Sequence, residues 1–140
     1  MSEENKTLAR TFYERVNAGD LSVVDELVAD DFVDHEEFPG IPPTKDGVAQ
    51  FFAMTRSAFP DMQFEAREVL GDDDLVNARF VFTGTQQGEF MGVPATGKRV
   101  EVGGFDLVRI RDGQVTEHWG VMDAMALMQQ LGAIPAEAPA

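Results

Sequence analysis

The hydrophobic period of the chain changes near Met62, and this change limits the fold more than any other feature. Before it, apolar residues recur about every four positions, as at Leu8, Phe12 and Val16, which indicates amphipathic helices. After it, apolar and polar residues alternate, which indicates strands. Helices followed by antiparallel strands predict an α+β domain, with three N-terminal helices packed on a curved, mostly antiparallel sheet and a short C-terminal helix.

Turn and capping residues set the limits of the predicted elements. Gly19 ends the first helix, Asp20 caps a second helix over 21–28, and the proline-containing segment 31–43 is predicted to be a loop. The other predicted elements are a helix over 45–58 with Thr44 as its N-cap, strands over about 63–70, 75–86, 99–111 and 114–123, and a helix over 124–131. Residues 1–140 are predicted to form one domain, with 133–140 as a frayed tail.

The dipeptide Asp112-Gly113 predicts a two-residue hairpin turn, because both turn positions require positive φ. Such a turn pairs residue 111 with residue 114. If the ladder then continues without interruption, Asp106 lies opposite Trp119, and Asp123 shares their face of the sheet. His118 falls on the other face, where a structural or interface role is expected. A β-bulge between the two strands would reverse this assignment.

The acidic composition limits the partners. The sequence holds 25 Asp and Glu against 11 Lys and Arg, a net charge of −14, which repels nucleic acids and anionic membranes. The lack of cysteine excludes disulfides and thiolate metal sites, and two histidines without ligand spacing give no reason to expect a metal. No signal segment or membrane-spanning apolar run is recognised, so a cytoplasmic protein is expected.

Several short motifs occur in a characteristic order. They are Phe12-Tyr13, Asn17-Ala18-Gly19-Asp20, residues 31–35, Phe59-Pro60-Asp61, Gly84-Thr85, residues 88–98, residues 109–113, Glu117-His118-Trp119, Asp123 and Gln130-Leu131-Gly132. Together they resemble the SnoaL-like polyketide cyclase (ester cyclase) family, within the nuclear-transport-factor-2-like superfamily. The resemblance implies a cone-shaped α+β barrel with a deep apolar pocket between sheet and helices, and a homodimer formed through the outer sheet face.

The resemblance also implies a chemistry. Enzymes of the family use a carboxylate to move a proton on a carbon acid, without metal or cofactor, and the family's catalytic aspartate maps onto Asp123. The implied substrate is a small apolar or polycyclic carbonyl compound. Two positions depart from the family. Gln86 stands where many members have histidine, and Asp106 stands where characterised cyclases can have histidine.

Asp123 has two compatible interpretations. It could cap the helix over 124–131, or it could be a general base in an apolar pocket, where burial raises a carboxyl pKa. Asp106 could be a second, protonated pocket carboxyl group that donates a hydrogen bond, or a surface residue paired with an arginine. Trp119 could form a wall of the pocket or part of the core.

The remaining candidate site residues are proposed substrate contacts. His35 could donate to a substrate carbonyl or be an ordinary loop histidine. Gln86 could reach the pocket as an uncharged donor, and Tyr13 could supply an oxyanion donor. Phe52 and Met91 are candidate substrate contacts, although such residues more often belong to the core or to a lid, and Met91 lies in a glycine-flanked loop that could close over a ligand.

The sequence therefore predicts an acid/base enzyme that needs no cofactor and catalyses aldol cyclisation or isomerisation by proton abstraction next to a carbonyl. Hydration of an epoxide by an aspartate pair is an alternative, but it requires an arginine between the pair, and Arg109 falls on the face opposite Asp106 in the predicted register. A non-catalytic module that binds a small ligand is a second alternative, and a dimerisation domain with a vestigial pocket is a third.

Overall fold

The computed structural model describes residues 2–135, and within that range it contains four helices and five strands. In chain order they are α1 (Ser2–Asn17), α2 (Ser22–Leu27), β1 (Val28–Asp34), α3 (Lys45–Ala58), β2 (Gln63–Asp72), β3 (Leu75–Thr85), β4 (Arg99–Arg111), β5 (Gln114–Met122) and α4 (Ala124–Leu131). The predicted α+β class is confirmed. Residues 136–140 of the predicted tail lie outside the described range. No described helix is both long enough and apolar enough to cross a bilayer.

The five strands form one open, mixed sheet. Their order is β1-β5-β4-β3-β2, with β1 parallel to β5 and the other neighbours antiparallel. The helices cover one face of the sheet, and the hydrophobic core lies between the helices and that face. Phe59, Phe64 and Phe82 pack there with tilted or edge-to-face ring contacts.

Local sequence signals place several element limits correctly. Helices α3 and α4 and strand β4 have the predicted limits. Gly19, at φ 81°, follows α1, and Gly132, at φ 78°, follows α4, because glycine adopts the left-handed conformation without a steric penalty. These element limits depend on a few neighbouring residues, which explains why the sequence predicts them correctly.

Strand β1 was not predicted from the sequence. The sequence predicts a helix up to residue 28 and a loop from residue 31, because the residues of β1 do not alternate: Val28 and Ala29 are both buried, whereas Asp30 and Asp31 are both exposed. The strand lies at the edge of the sheet and pairs only with β5, with an irregular register between Val28 and Val33. Edge strands commonly carry charges and irregularities that an internal strand excludes.

The predicted hairpin turn is confirmed, but the predicted register beyond it is wrong. Asp112 and Gly113 both have positive φ, at 53° and 74°, and Ile110 still pairs with Val115. The next pair joins Arg109 to Glu117, which leaves Thr116 without a partner. Beyond this β-bulge, Gly120 rather than Trp119 lies opposite Asp106.

The bulge exchanges the two faces of β5. Since side chains alternate along a strand, a shift of one residue turns every later side chain to the other side. His118 now lies opposite Val108 on the inner, helix-covered face, and Trp119 lies opposite Leu107 on the outer face.

Candidate active site

A cavity of about 490 Å³ lies between the helices and the inner face of the sheet. Apolar side chains form most of its wall, among them Phe12, Phe32, Phe52 and Phe64. The segment between β1 and α3 also lines it, where Phe38 packs against Phe51 with ring centroids 4.7 Å apart. Five polar side chains of the lining form a contiguous group: Tyr13, Asp34, Glu36, Asp106 and His118. Apolar cavities with a few convergent polar groups are typical ligand sites.

His118 lies between two carboxylates. Its Nδ1 is 2.8 Å from Asp34 Oδ1, and its Nε2 is 2.7 Å from Asp106 Oδ1. A neutral imidazole has only one N–H, so two carboxylate partners favour the doubly protonated ring. Burial opposes this charge, but the hydrogen bonds to Asp106 and Asp34 outweigh it and raise the pKa of His118 to about 10. His118 is therefore an imidazolium at neutral pH.

Tyr13 is the second hydrogen-bond partner of Asp106. Its hydroxyl donates to Asp106 Oδ2, so both oxygens of Asp106 face donors. Burial raises the pKa of Tyr13 well above its usual value, and the neighbouring carboxylate of Asp106 raises it further. The phenol therefore stays neutral. Asp106 lines the cavity, as does Tyr13, but it accepts hydrogen bonds instead of serving as the protonated donor considered from the sequence.

Glu36 is a carboxylic acid of the cavity whose pKa lies well above its usual value. Burial raises its pKa to about 7; the positive charge of His118 opposes this shift, and Asp106 and Asp34 add to it. Its Oε1 lies 3.9 Å from His118 Nε2, beyond direct hydrogen bonding. Glu36 thus titrates close to neutral pH beside a fixed positive charge.

Gly120 provides the space for the Glu36 carboxylate. A Cβ atom at position 120 would lie 2.4 Å from Glu36 Oε1 and 2.8 Å from the His118 ring, and both distances are shorter than a van der Waals contact. The main chain of Glu36 is held separately, since its N–H donates to Asp34 Oδ1 at 2.9 Å. Glycine at 120 is therefore a requirement of this arrangement.

Asp123 lies outside the cavity. It is exposed, and its carboxylate accepts from the N–H of Ala126 at 3.0 Å as the N-cap of α4. The pocket position expected for Asp123 is wrong for two reasons. Strand β5 ends at Met122, and the bulge places Met122 on the inner face opposite Gly104.

His35 and Trp119 also lie away from the cavity. They meet on the outer face of the sheet, where their rings stack with centroids 4.7 Å apart and planes 11° apart. Their predicted positions at the pocket are therefore wrong. The bulge in β5 turns Trp119 to the outer face. His35 follows the inward-facing Asp34 and points to the opposite side.

Gln86 and Met91 belong to the loop between β3 and β4. Gln86 is fully buried, donates to Val93 O at 2.9 Å and accepts from both the N–H and the hydroxyl of Thr96. Its buried amide thus holds the loop and does not reach the cavity, contrary to its predicted position. Met91 is 44% exposed and does not line the cavity either, whereas Phe52 does.

Among the described residues, one group could approach a single cation. One potential ligand atom from each of Glu36, Asp106 and His118 lies within 4.8 Å of the others. A metal ion would have to displace a proton from His118, since imidazole binds metals only in its neutral form. Two carboxylates stabilise that proton strongly. Metal binding by this group would therefore compete with protonation of His118.

Three members of the group were not identified as site residues from the sequence: Asp34, Glu36 and His118. His118 was assigned to the opposite face. The local sequence gives no clear signal for the other two, because β1 ends at Asp34 and Glu36 lies in a bend beyond it.

Comparisons with known proteins agree with this architecture. The family model of the SnoaL-like polyketide cyclases matches residues 7–131. Aklanonic acid methyl ester cyclase DauD of Streptomyces sp. (strain C5) is 26% identical over 128 residues, which cover 89% of this chain and 80% of DauD.

Two solved structures have closely similar folds. IdmH of Streptomyces antibioticus, a candidate polyketide cyclase, is 35% identical with a TM-score of 0.80, covering 91% of this chain and 98% of IdmH. AclR of Streptomyces galilaeus, a candidate hydroxylase, is 32% identical with a TM-score of 0.84, covering 96% and 100%. The family match over residues 7–131, together with the similar folds, places this chain in the SnoaL-like polyketide cyclase family.

Proposed function

We propose that this protein catalyses proton abstraction from a carbon next to a carbonyl group, as a step in aldol cyclisation or isomerisation. The observation that carries the proposal is Glu36, with a pKa of about 7, beside the imidazolium of His118 at the polar end of an otherwise apolar cavity. The proposed substrate is a small apolar or polycyclic carbonyl compound, which fits a wall made mostly of apolar and aromatic side chains.

Glu36 is the proposed general base. A base works best when its pKa lies near the working pH, because it is then both ionised and able to hold the proton that it removes. With a pKa of about 7, roughly half of the Glu36 side chains are ionised at neutral pH. A carboxylate of ordinary pKa, near 4, is a much weaker base for a carbon acid.

His118 supplies positive charge where the enolate forms. When Glu36 removes the carbon-bound proton, the electron pair moves into the enolate and its oxygen becomes negative. Asp34 and Asp106 hold the imidazolium in place and take up both of its N–H groups, so it acts on the enolate through its charge and not by donating a hydrogen bond to the enolate oxygen. Tyr13 supports the arrangement by donating to Asp106.

The proton balance closes without another reactant. In an aldol closure the enolate carbon attacks a second carbonyl of the same molecule, and the new alkoxide takes a proton back from Glu36. In an isomerisation the proton returns to a different carbon. No electron is gained or lost by the substrate, so the proposed reaction calls for neither oxidant nor cofactor.

Epoxide hydration is the less favoured enzyme function. It requires an arginine between two acids in the cavity, and no arginine or lysine occurs in the cavity lining formed by residues 2–135. Arg109 lies on the outer face, where it donates to Glu117 and Asp74. The outer position predicted for Arg109 from the sequence is correct, and it counts against hydration.

The decisive test compares Glu36→Gln with Asp123→Asn. Aklanonic acid methyl ester, the compound in the name of the relative DauD, is the first probe. Hydrogen–deuterium exchange at its acidic carbon reports proton abstraction, and chromatography reports ring closure. We expect Glu36→Gln to lower the rate by about 10²–10⁴-fold, the usual contribution of a general base.

The control should keep its rate, because asparagine caps a helix as well as aspartate and Asp123 lies outside the cavity. Full exchange activity in Glu36→Gln, or its loss in Asp123→Asn, would refute Glu36 as the base. Binding of the probe without exchange in the unaltered protein would instead identify a non-catalytic binding module.

A further inference from the structure

Three consecutive residues at the end of β1 point in alternating directions. Asp34 and Glu36 line the cavity, whereas His35 lies between them on the outer face. We infer that His35 and Trp119, although they lie outside the cavity, are positioning residues that hold Glu36 in it. This inference rests on the proposed role of Glu36 as the base.

Both the main chain and the side chain of His35 are fixed to β5. Its N–H donates to His118 O at 2.8 Å, which extends the ladder between β1 and β5 by one bond. Its ring stacks on Trp119, and its Nε2 lies 3.0 Å from Glu117 Oε2. His35 therefore contacts Glu117 and Trp119, which are neighbours on the outer face of β5 with the inward-facing His118 between them in sequence.

Arg109 braces the same contacts from β4. Its Nε donates to Glu117 Oε1 at 2.8 Å, and its Nη1 donates to Asp74 Oδ1 at 2.8 Å. Its guanidinium carbon lies 6.0 Å from the centre of the Trp119 ring, within range of a cation–π contact. We call His35, Trp119, Glu117 and Arg109 the outer clamp.

The Glu36 side chain has little to hold it directly. Among the described residues its carboxylate accepts no hydrogen bond, and the imidazolium nitrogen nearest to it is 3.9 Å away. Its main chain is held by the bond that its N–H donates to Asp34. The direction of Glu36 must therefore be imposed by its backbone.

The constraint passes from His35 to Glu36 through a single peptide unit. Strand β1 ends at Asp34 and the chain bends at Glu36, so the outward hold on His35 and the bond from the Glu36 N–H to Asp34 together set the direction of the Glu36 side chain. While His35 is held outward, Glu36 must point inward, over Gly120. Without the clamp, residues 35 and 36 can rotate, and the Glu36 carboxylate can reach water. Its pKa then falls toward the value of an exposed glutamate, because burial is the largest cause of its shift.

The experiment measures the Glu36 carboxyl pKa by carbon-13 NMR titration, with the resonance assigned by its loss in Glu36→Gln. We expect the pKa to fall by at least one pH unit in both His35→Ala and Trp119→Ala. Phe105→Ala is the matched control, since Phe105 is another exposed aromatic residue on the outer face, 48% exposed and paired with Val121. It should leave the Glu36 pKa unchanged.

His35→Phe separates stacking from a general loss of stability. Phenylalanine keeps the stacking contact but not the bond to Glu117, so the Glu36 pKa should stay near its unaltered value. A melting temperature recorded for each variant confirms that the titrated protein is folded. If either folded alanine variant leaves the pKa unchanged, or if Phe105→Ala lowers it equally, the clamp does not position Glu36.

The titration needs no substrate, so it is independent of the proposed reaction. If the pKa shifts as expected but Glu36→Gln retains full exchange activity, the clamp is upheld and the proposed function fails. If Glu36→Gln is inactive but the clamp variants leave the pKa unchanged, the proposed function is upheld and the clamp fails.

Discussion

Two histidine clusters lie on opposite faces of the same strands. On the inner face His118 lies between Asp34 and Asp106, with Glu36 nearby. On the outer face His35 bonds to Glu117 and stacks on Trp119. Both clusters combine imidazole with carboxylates, but His118 lines the cavity between the sheet and the helices, whereas His35 and Trp119 do not.

The clusters differ in charge balance and in access to water. In the inner cluster one imidazolium faces three acids, and the His118 side chain is only 18% exposed. In the outer cluster two arginines share Asp74 and Glu117, and the His35 side chain is 39% exposed. Hydrogen bonds from His35 and Arg109 lower the pKa of Glu117, whereas burial raises that of Glu36. The same residue types therefore give an ion-pair network in water and a site of perturbed acidity in the cavity.

The largest expected effect is a loss of stability at alkaline pH. The pKa of His118 is raised from 6.5 to about 10, so its contribution is complete below about 6.5 and is lost as the pH rises toward 10. The free energy of unfolding should fall by up to about 1.4 kcal/mol per pH unit in that window. Urea unfolding at several pH values measures it. Equal stability at both ends of the window would contradict a charged inner histidine.

Removal of each histidine tests the comparison directly. His118→Gln leaves the half-buried carboxylates of Asp34 and Asp106 without their cation and should lower the free energy of unfolding by about 3 kcal/mol at pH 6.5. His35→Gln should cost far less, because water and arginines still solvate its partners. Chemical denaturation of both variants gives the difference. Comparable losses would show that the two clusters do not differ in the way described.

A methyl group at position 120 should disturb the inner cluster without breaking the sheet. In Gly120→Ala the new Cβ would overlap Glu36 Oε1, so the flexible glutamate should move away and its pKa should fall by about one unit as burial decreases. Gly103→Ala is the control, because the nearest atom to a Cβ there is 3.8 Å away. Carbon-13 titration of both variants measures the effect. An unchanged Glu36 pKa in Gly120→Ala would refute the packing of the carboxylate over Gly120.

Asp123 belongs to neither cluster, and its replacement should have the smallest effect. Asp123→Ala removes the hydrogen bond to the Ala126 N–H and should cost about 1 kcal/mol of stability, whereas Asp123→Asn should cost almost nothing. Thermal and urea unfolding measure both. A change in the Glu36 or His118 titration in either variant would connect Asp123 to the inner cluster after all.

Part of the site could be found from the sequence. Tyr13, Phe52 and Asp106 line the cavity, and the family resemblance supplied the general fold. The homodimer, the cytoplasmic location and the carbonyl substrate stay predictions. His118 was missed because one unpaired residue, Thr116, reverses the face of everything after it in β5. A bulge of this kind has no reliable local signature.

The sequence by itself determined the features that depend on neighbouring residues. The hydrophobic period predicted the change from helix to strand after α3, although not the earlier strand β1, and Asp112-Gly113 predicted the hairpin turn. Only the tertiary structure decided which side chains share the cavity. Strand β1 forms by pairing with the distant β5, and the bulge sets the register between β4 and β5. Because side chains alternate on a strand, these two long-range events, rather than any local motif, bring Glu36 and His118 together.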